Sequence, residues 1–125
     1  MRKPTESAMV LVVDDDTMIR QMTRIALEDE GYRVRAAASG AEALAAVARE
    51  RPDLVLSDIW MPQMDGLTLA RRLVGLGIPV VLMSAVATAV DLPGVPFVRK
   101  PFDLDRLLGV AAAQLRRSCP CGPAA

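Results

Sequence analysis

Along this chain the spacing of apolar residues alternates between two rhythms, and the alternation predicts the elements. Met9 to Val13 (MVLVV) is a continuous apolar run, as expected of a strand covered on both faces. Met18, Met22, Ile25 and Ala26 then recur at helical spacing until Gly31, and methionines in such a stripe are expected to fill the core. Tyr32 to Ala38 reads as a second strand, and Ser39 with Glu42 as a capping box opening a helix through Ala41 to Arg49. Pro52 ends that helix, and Asp53 to Ser57 contains a third strand. Gly66 to Leu76 predicts a third helix with Leu67, Ala70 and Leu73 on its inner side. Pro79 to Ser84 is a fourth strand and Val95 to Arg99 a fifth. Asp103 can cap a last helix whose stripe is Leu104, Leu107, Leu108, Ala111 and Leu115. Strand-helix units in this order require an α/β fold with a parallel sheet and right-handed crossovers. No repeat or linker is visible, so residues 9–117 are expected to form one domain between tails at 1–8 and 118–125.

Composition narrows this further. A chain of 125 residues suits one domain, and with 52% apolar but only 3% aromatic residues its core must be built from Val, Leu, Ala, Ile and Met. Fifteen basic residues balance 15 acidic ones, which gives no hint of direct nucleic-acid binding. The first eight residues, MRKPTESA, lead into no apolar stretch of signal-peptide length. Gly77 to Val98 carries one charge, Asp91, yet Pro79, Pro93 and Pro96 with Gly77 and Gly94 break it into pieces too short for membrane insertion. The chain therefore reads as soluble and cytoplasmic. Cys119 and Cys121 cannot complete a zinc site by themselves and there is no His to help, so a reduced tail is expected.

In a parallel sheet ligands bind at the carboxyl ends of the strands, and the charged residues fall there. Asp14, Asp15 and Asp16 follow strand one, Asp58 follows strand three, Ser84 ends strand four and Lys100 follows strand five. Taken singly each has an ordinary role, such as helix capping for the three aspartates or a solvated surface charge for Lys100. Jointly they form a pocket in which crowded carboxylates would repel until a hard divalent cation joined them, and Mg²⁺ suits carboxylates, waters and phosphate oxygens. The lysine ammonium would face a phosphoryl group, and the serine hydroxyl could donate to one of its oxygens.

These residues carry a resemblance. Over roughly residues 8–117 the chain resembles the response-regulator receiver family of two-component signalling, through the acidic cluster after LVV, SDIWMPQMDG around Asp58, the hydroxyl of Ser84 and KPF at 100–102. The resemblance implies a single doubly wound, flavodoxin-like sheet of five parallel strands in the order 2-1-3-4-5. It implies that Asp58 accepts a phosphoryl group from a histidine kinase or phosphotransfer protein. Mg²⁺ would be held by Asp14, Asp15, Asp58 and the backbone carbonyl of Trp60, while Asp16 caps the following helix. Lys100 would pair with the phosphoryl oxygens across a cis peptide to Pro101. Ser84 and Phe97 would be the switch residues, although Phe97 has no hydroxyl to offer a partner. The family's role is regulatory, catalysing only its own phosphorylation and dephosphorylation. A stand-alone member would act through protein contacts on a downstream target that the sequence does not name, and homodimerisation stays open.

One departure stands out. Ala85 to Gly94 leaves only ten residues between strands four and five, where the family fits a whole helix. The expectation is a shortened or missing fourth helix and an altered output face. Two other readings compete. VVDDDTM superficially matches the DxDx[TV] signature of aspartyl-nucleophile phosphatases through Asp14 and Asp16, but Met18 occupies the fifth position and no cap domain fits in the length. A pseudo-receiver that binds partners without phosphorylation is opposed by the complete acidic set and Lys100.

Overall fold

The computed structural model describes residues 8–61, 64, 66–84, 92, 94–100 and 103–118. Its elements are β1 (Met9–Val13), α1 (Thr17–Asp29), β2 (Arg33–Ala37), α2 (Gly40–Arg49), β3 (Leu54–Asp58), α3 (Gly66–Gly75), β4 (Val80–Ser84), β5 (Phe97–Arg99) and α4 (Leu104–Ser118). The strands form one parallel sheet in the order β2-β1-β3-β4-β5, as the resemblance implied. Every residue of β1, β3 and β4 is buried, which is why these strands read as unbroken apolar runs. Edge strand β2 is largely exposed; Arg33 and Arg35 both bind Glu50 there, at 2.6 and 3.3 Å, and give the sheet a charged margin.

Two apolar layers cover the sheet. On one side Val10, Val12, Leu56, Val81 and Met83 meet Leu27 of α1 and Leu107, Ala111 and Leu115 of α4. On the other, Leu11, Val13, Val55, Val80 and Leu82 meet Ala43 of α2 and Leu69, Ala70 and Leu73 of α3. Full burial of each Val, Leu or Met contributes about 1.5–3 kcal/mol. The ends of the helices follow the capping chemistry legible in the sequence. Asp16 is the N-cap of α1 and accepts the Ile19 N–H at 3.1 Å. Ser39 Oγ accepts the Glu42 N–H at 3.2 Å, and Glu42 in return accepts the Ala38 N–H. Gly31, at φ +96°, lets the chain leave α1 in the left-handed region.

Three helix faces differ from expectation. On α1 the apolar stripe faces solvent: Met18, Met22 and Ile25 are 71, 51 and 52% exposed, and Thr23 and Leu27 are buried in their place. The methionines are not core fillers here. The rotation of α1 is fixed by its short covalent link to β1 through Asp14–Asp16, which turns the Thr23–Leu27 side onto the sheet. Thr23 Oγ1 consequently has no hydrogen-bond partner among the described residues, a local cost of about 1–3 kcal/mol. On α3, Leu69 is buried beside Ala70 and Leu73, while Leu67 is half-buried. On α4, Gln114 is buried beside Leu107, Ala111 and Leu115; its amide donates to the Gly94 carbonyl at 2.9 Å and the Val80 carbonyl at 3.3 Å. Of the segment expected to hold a shortened fourth helix only Leu92 and Gly94 are described, and the Lys100–Pro101 peptide bond, Cys119 and Cys121 lie outside the described residues.

Tyr32 is the one tyrosine of the chain and is buried against Leu27 and Leu115. Burial raises its phenol above the ordinary value near 10, with Glu30 adding and Arg116 opposing. The folded state therefore keeps a proton that the unfolded chain releases. This contribution to stability is complete below about pH 10 and is lost as pH rises through the raised value. Absorbance titration at alkaline pH should show the phenol ionising above pH 10, and urea midpoints should fall across the same interval.

Candidate functional site

The strand register sets the acidic residues side by side. Val13 pairs with Ser57 across β1 and β3, so Asp14 and Asp58 emerge next to each other at the carboxyl end of the sheet. Three backbone bonds carry the ladders past the strand ends: Asp14 N–H to Ala37 O (3.1 Å), Ile59 N–H to Met83 O (2.9 Å) and Lys100 N–H to Ser84 O (2.7 Å). Asp14, Asp15 and Asp58 each bring one carboxylate oxygen within 4.8 Å of the others. Asp14 and Asp58 are buried and Asp15 is exposed. Lys100 Nζ bridges the two buried ones, at 2.8 Å from Asp14 Oδ2 and 3.4 Å from Asp58 Oδ2. Asp14 Oδ1 accepts the Asp16 N–H at 2.9 Å, and Asp58 Oδ1 accepts the Trp60 N–H at 3.3 Å.

Of the residues proposed from the sequence, Asp14, Asp15, Asp58 and Lys100 thus meet in one place, with Asp16 serving as the helix cap. Ser84 is fully buried at the end of β4, joined through its carbonyl to Lys100. Phe97, on β5 opposite Leu82, is half-buried against the α2/α3 layer, and the Trp60 side chain is 56% exposed. Burial pushes the Asp58 carboxyl above its ordinary range; Lys100 opposes this, Asp14 adds to it, and the Trp60 N–H opposes. Three carboxylates face one ammonium, and all the ligating atoms are oxygens. That donor set fits a hard divalent cation.

Two supporting residues drew no attention in the sequence. Gly66 donates its N–H to the Ile59 carbonyl at 2.7 Å, folding the β3–α3 connection back on the strand end. A side chain there would overlap the Asp58 carbonyl oxygen and stand 2.8 Å from Ile59 Cα. The MDG string held the glycine, but only the fold-back shows the need for it. Arg20, whose guanidinium reaches the Asp14 carbonyl at 2.7 Å, had no local signal at all.

A family profile described as "Response regulator receiver domain" matches residues 10–112. The chain belongs to the response-regulator receiver family. Response regulator MprA of Mycobacterium tuberculosis is 38% identical over 122 residues, which covers 91% of this chain and 53% of that protein. The chain therefore spans about half the length of the curated relatives it matches. Among solved structures, a CheY-like receiver domain protein from Methanospirillum hungatei superposes with a TM-score of 0.84 at 31% identity, covering 90% of this chain and 97% of the other. The chemotaxis protein CheY4 of Vibrio cholerae gives 0.77 at 32% identity, covering 86% and 98%. This receiver domain carries an aspartate cluster poised to coordinate a divalent metal and accept a phosphoryl group, as in two-component signalling. Receiver identity implies that the domain's own catalysis is limited to its phosphorylation and dephosphorylation.

The Gly66 contact has a measurable consequence. Gly66→Ala should lower unfolding stability in urea by about 1–3 kcal/mol, because the obstructing atoms are backbone. Gly75→Ala, where an added methyl meets open space, should be neutral or slightly stabilising in the same assay.

Proposed function

We propose that this receiver domain is a phosphorylation-controlled switch that takes its phosphoryl group on Asp58 from the phosphohistidine of a sensor histidine kinase or phosphotransfer protein. The observation that carries the reading is the gathering of Asp14, Asp15 and Asp58 within 4.8 Å, with Lys100 reaching two of them. An Asp58 carboxylate oxygen attacks phosphorus in line with the bond to the imidazole nitrogen. The P–O bond of an acyl phosphate forms, the P–N bond breaks, and its electron pair returns to the imidazole. Mg²⁺, with Asp14, Asp15, Asp58 and the Trp60 carbonyl as its protein ligands, supplies charge neutralisation when bound. Lys100 turns its ammonium from the carboxylates to the phosphoryl oxygens. The Ser84 hydroxyl donates to one of those oxygens, drawing the end of β4 inward, and Phe97 follows on the neighbouring strand. The protein works in the cytoplasm through contacts with other proteins.

Incubation with acetyl phosphate and Mg²⁺ should add one phosphoryl group per chain by intact mass, and Asp58→Ala or a chelator should abolish it. Labelling that survives in Asp58→Ala would overturn the assignment of the acceptor, and turnover of a phosphate ester without any labelling would favour the phosphatase reading instead.

The exposed stripe of α1 supports a protein donor. Met18 follows closely on the helix cap Asp16, so the apolar stripe starts at the end of α1 that joins the aspartate cluster. Exposed apolar patches of this kind mark contact sites. With a purified histidine kinase that phosphorylates the parent chain, Met22→Glu should slow transfer by about tenfold or more, the scale of losing a central apolar anchor. Labelling by acetyl phosphate, which needs no docking, should be unchanged; equal transfer rates for the two proteins would remove α1 from the docking surface.

A further inference from the structure

Arg20 occupies an unfavourable place for a cation. It lies at the start of α1, whose first turn carries no acidic residue, close to the positive end of the helix dipole. Its half-buried guanidinium runs back along the helix, where Nη1 donates to the Asp14 carbonyl oxygen at 2.7 Å and Nη2 reaches Thr17 Oγ1 at 3.4 Å. The other polar atoms of Asp14 are also engaged. Its N–H donates to Ala37 O, Oδ1 accepts the Asp16 N–H and Oδ2 accepts Lys100 Nζ. With Arg20 on the carbonyl, every hydrogen-bonding atom of Asp14 is held. The two peptide planes that flank the Asp14 Cα are then both held, the preceding one by Ala37 and the following one by Arg20.

We infer that Arg20 is a positioning residue for the divalent-cation site: by gripping the Asp14 carbonyl it sets the direction in which the exposed Asp15 carboxylate leaves the backbone. The inference rests on the proposed function of the cluster. Asp15 needs this more than its neighbours do. Asp14 and Asp58 are buried among strand ends, whereas Asp15 is exposed, so the orientation of the preceding peptide has more say in where its carboxylate lies. An arginine suits the task because its planar fork can hold a carbonyl and a hydroxyl at once.

Charge and geometry predict opposite outcomes, which makes the inference decidable. If Arg20 acted only through its charge it would repel a nearby cation, and removing it would tighten metal binding. As a positioning residue its removal weakens binding, in the range of about tenfold or more typical of groups that orient metal ligands. Mg²⁺ titration followed by Trp60 fluorescence should show that weakening in Arg20→Ala, with Tm near that of the parent. Arg20→Lys, which keeps the charge and one donor, should recover part of the affinity. The amide resonance of Asp15, which shares its peptide with the Asp14 carbonyl, should shift in Arg20→Ala without metal and move back toward the parent position in Arg20→Lys. Should Arg20→Ala fail to fold, the Arg20→Lys and Arg20→Gln pair gives the same reading: weaker binding in both, with the amide displaced, supports the inference. Parent-like or tighter Mg²⁺ binding in folded variants overturns it and leaves the proposed function standing. A parent chain that does not bind Mg²⁺ overturns both.

Discussion

Mutual repulsion among the carboxylates of Asp14, Asp15 and Asp58 is the constraint around which this molecule is arranged. Two ionised carboxylates about 4 Å apart repel by about 4 kcal/mol at an effective dielectric of about 20, and here three crowd within 4.8 Å. Such a cluster does not assemble by side-chain preference. It exists because the backbone leaves the carboxylates no other place, and because Lys100 stands between the two buried ones. Burial is the main reason that the Asp58 carboxyl lies above its ordinary range; Lys100 opposes it, and the repulsion from Asp14 adds to it. A divalent cation and then a phosphoryl group are ligands such a site is built to need.

The backbone holds this conflict in place through hydrogen bonds rather than through tight side-chain packing. Three of the four parallel ladders continue one residue beyond their strands, at Asp14, at Ile59 beside Asp58, and at Lys100. The charged groups are therefore as well located as the strands themselves, although they sit in connections. At the opposite end of the β1–β3 pair, Asp53 does a related job, accepting the Met9 N–H on Oδ2 and returning its own N–H to the Met9 carbonyl. Both ends of the central pair are thus closed by aspartates, one by purely structural bonds and the other by those that also serve chemistry.

What was legible in the sequence follows from the same physics. Strands buried on both faces must be apolar throughout, so β1, β3 and β4 announced themselves, and residues just after them became site candidates without any coordinates. Caps were legible because Asp16 and Ser39 act within three residues of themselves. The facing of α1 was not. Periodicity reveals that Met18, Met22 and Ile25 share a side, but the direction of that side depends on how the helix is joined to β1 and on what it packs against. Gln114 and Arg20 were illegible for a related reason: a polar side chain whose partners are backbone carbonyls leaves no trace in the pattern of residue types.

The three carboxylates are not equivalent, and their differences bear on which one is the nucleophile. Asp14 is fully engaged by short bonds, 2.9 Å to the Asp16 N–H and 2.8 Å to Lys100. Asp58 makes the same kinds of contact at 3.3 Å to the Trp60 N–H and 3.4 Å to Lys100, longer than charge-assisted hydrogen bonds prefer. A group that must form a new covalent bond has to surrender existing contacts, and long ones are cheaper to surrender. Asp14 would lose strong bonds and abandon its hold on Lys100 and the Asp16 turn. Asp58 can exchange weak contacts for a phosphoryl group while its backbone stays pinned through Ile59 and Gly66. On the proposed function, these hydrogen-bond lengths favour Asp58 over Asp14 as the acceptor.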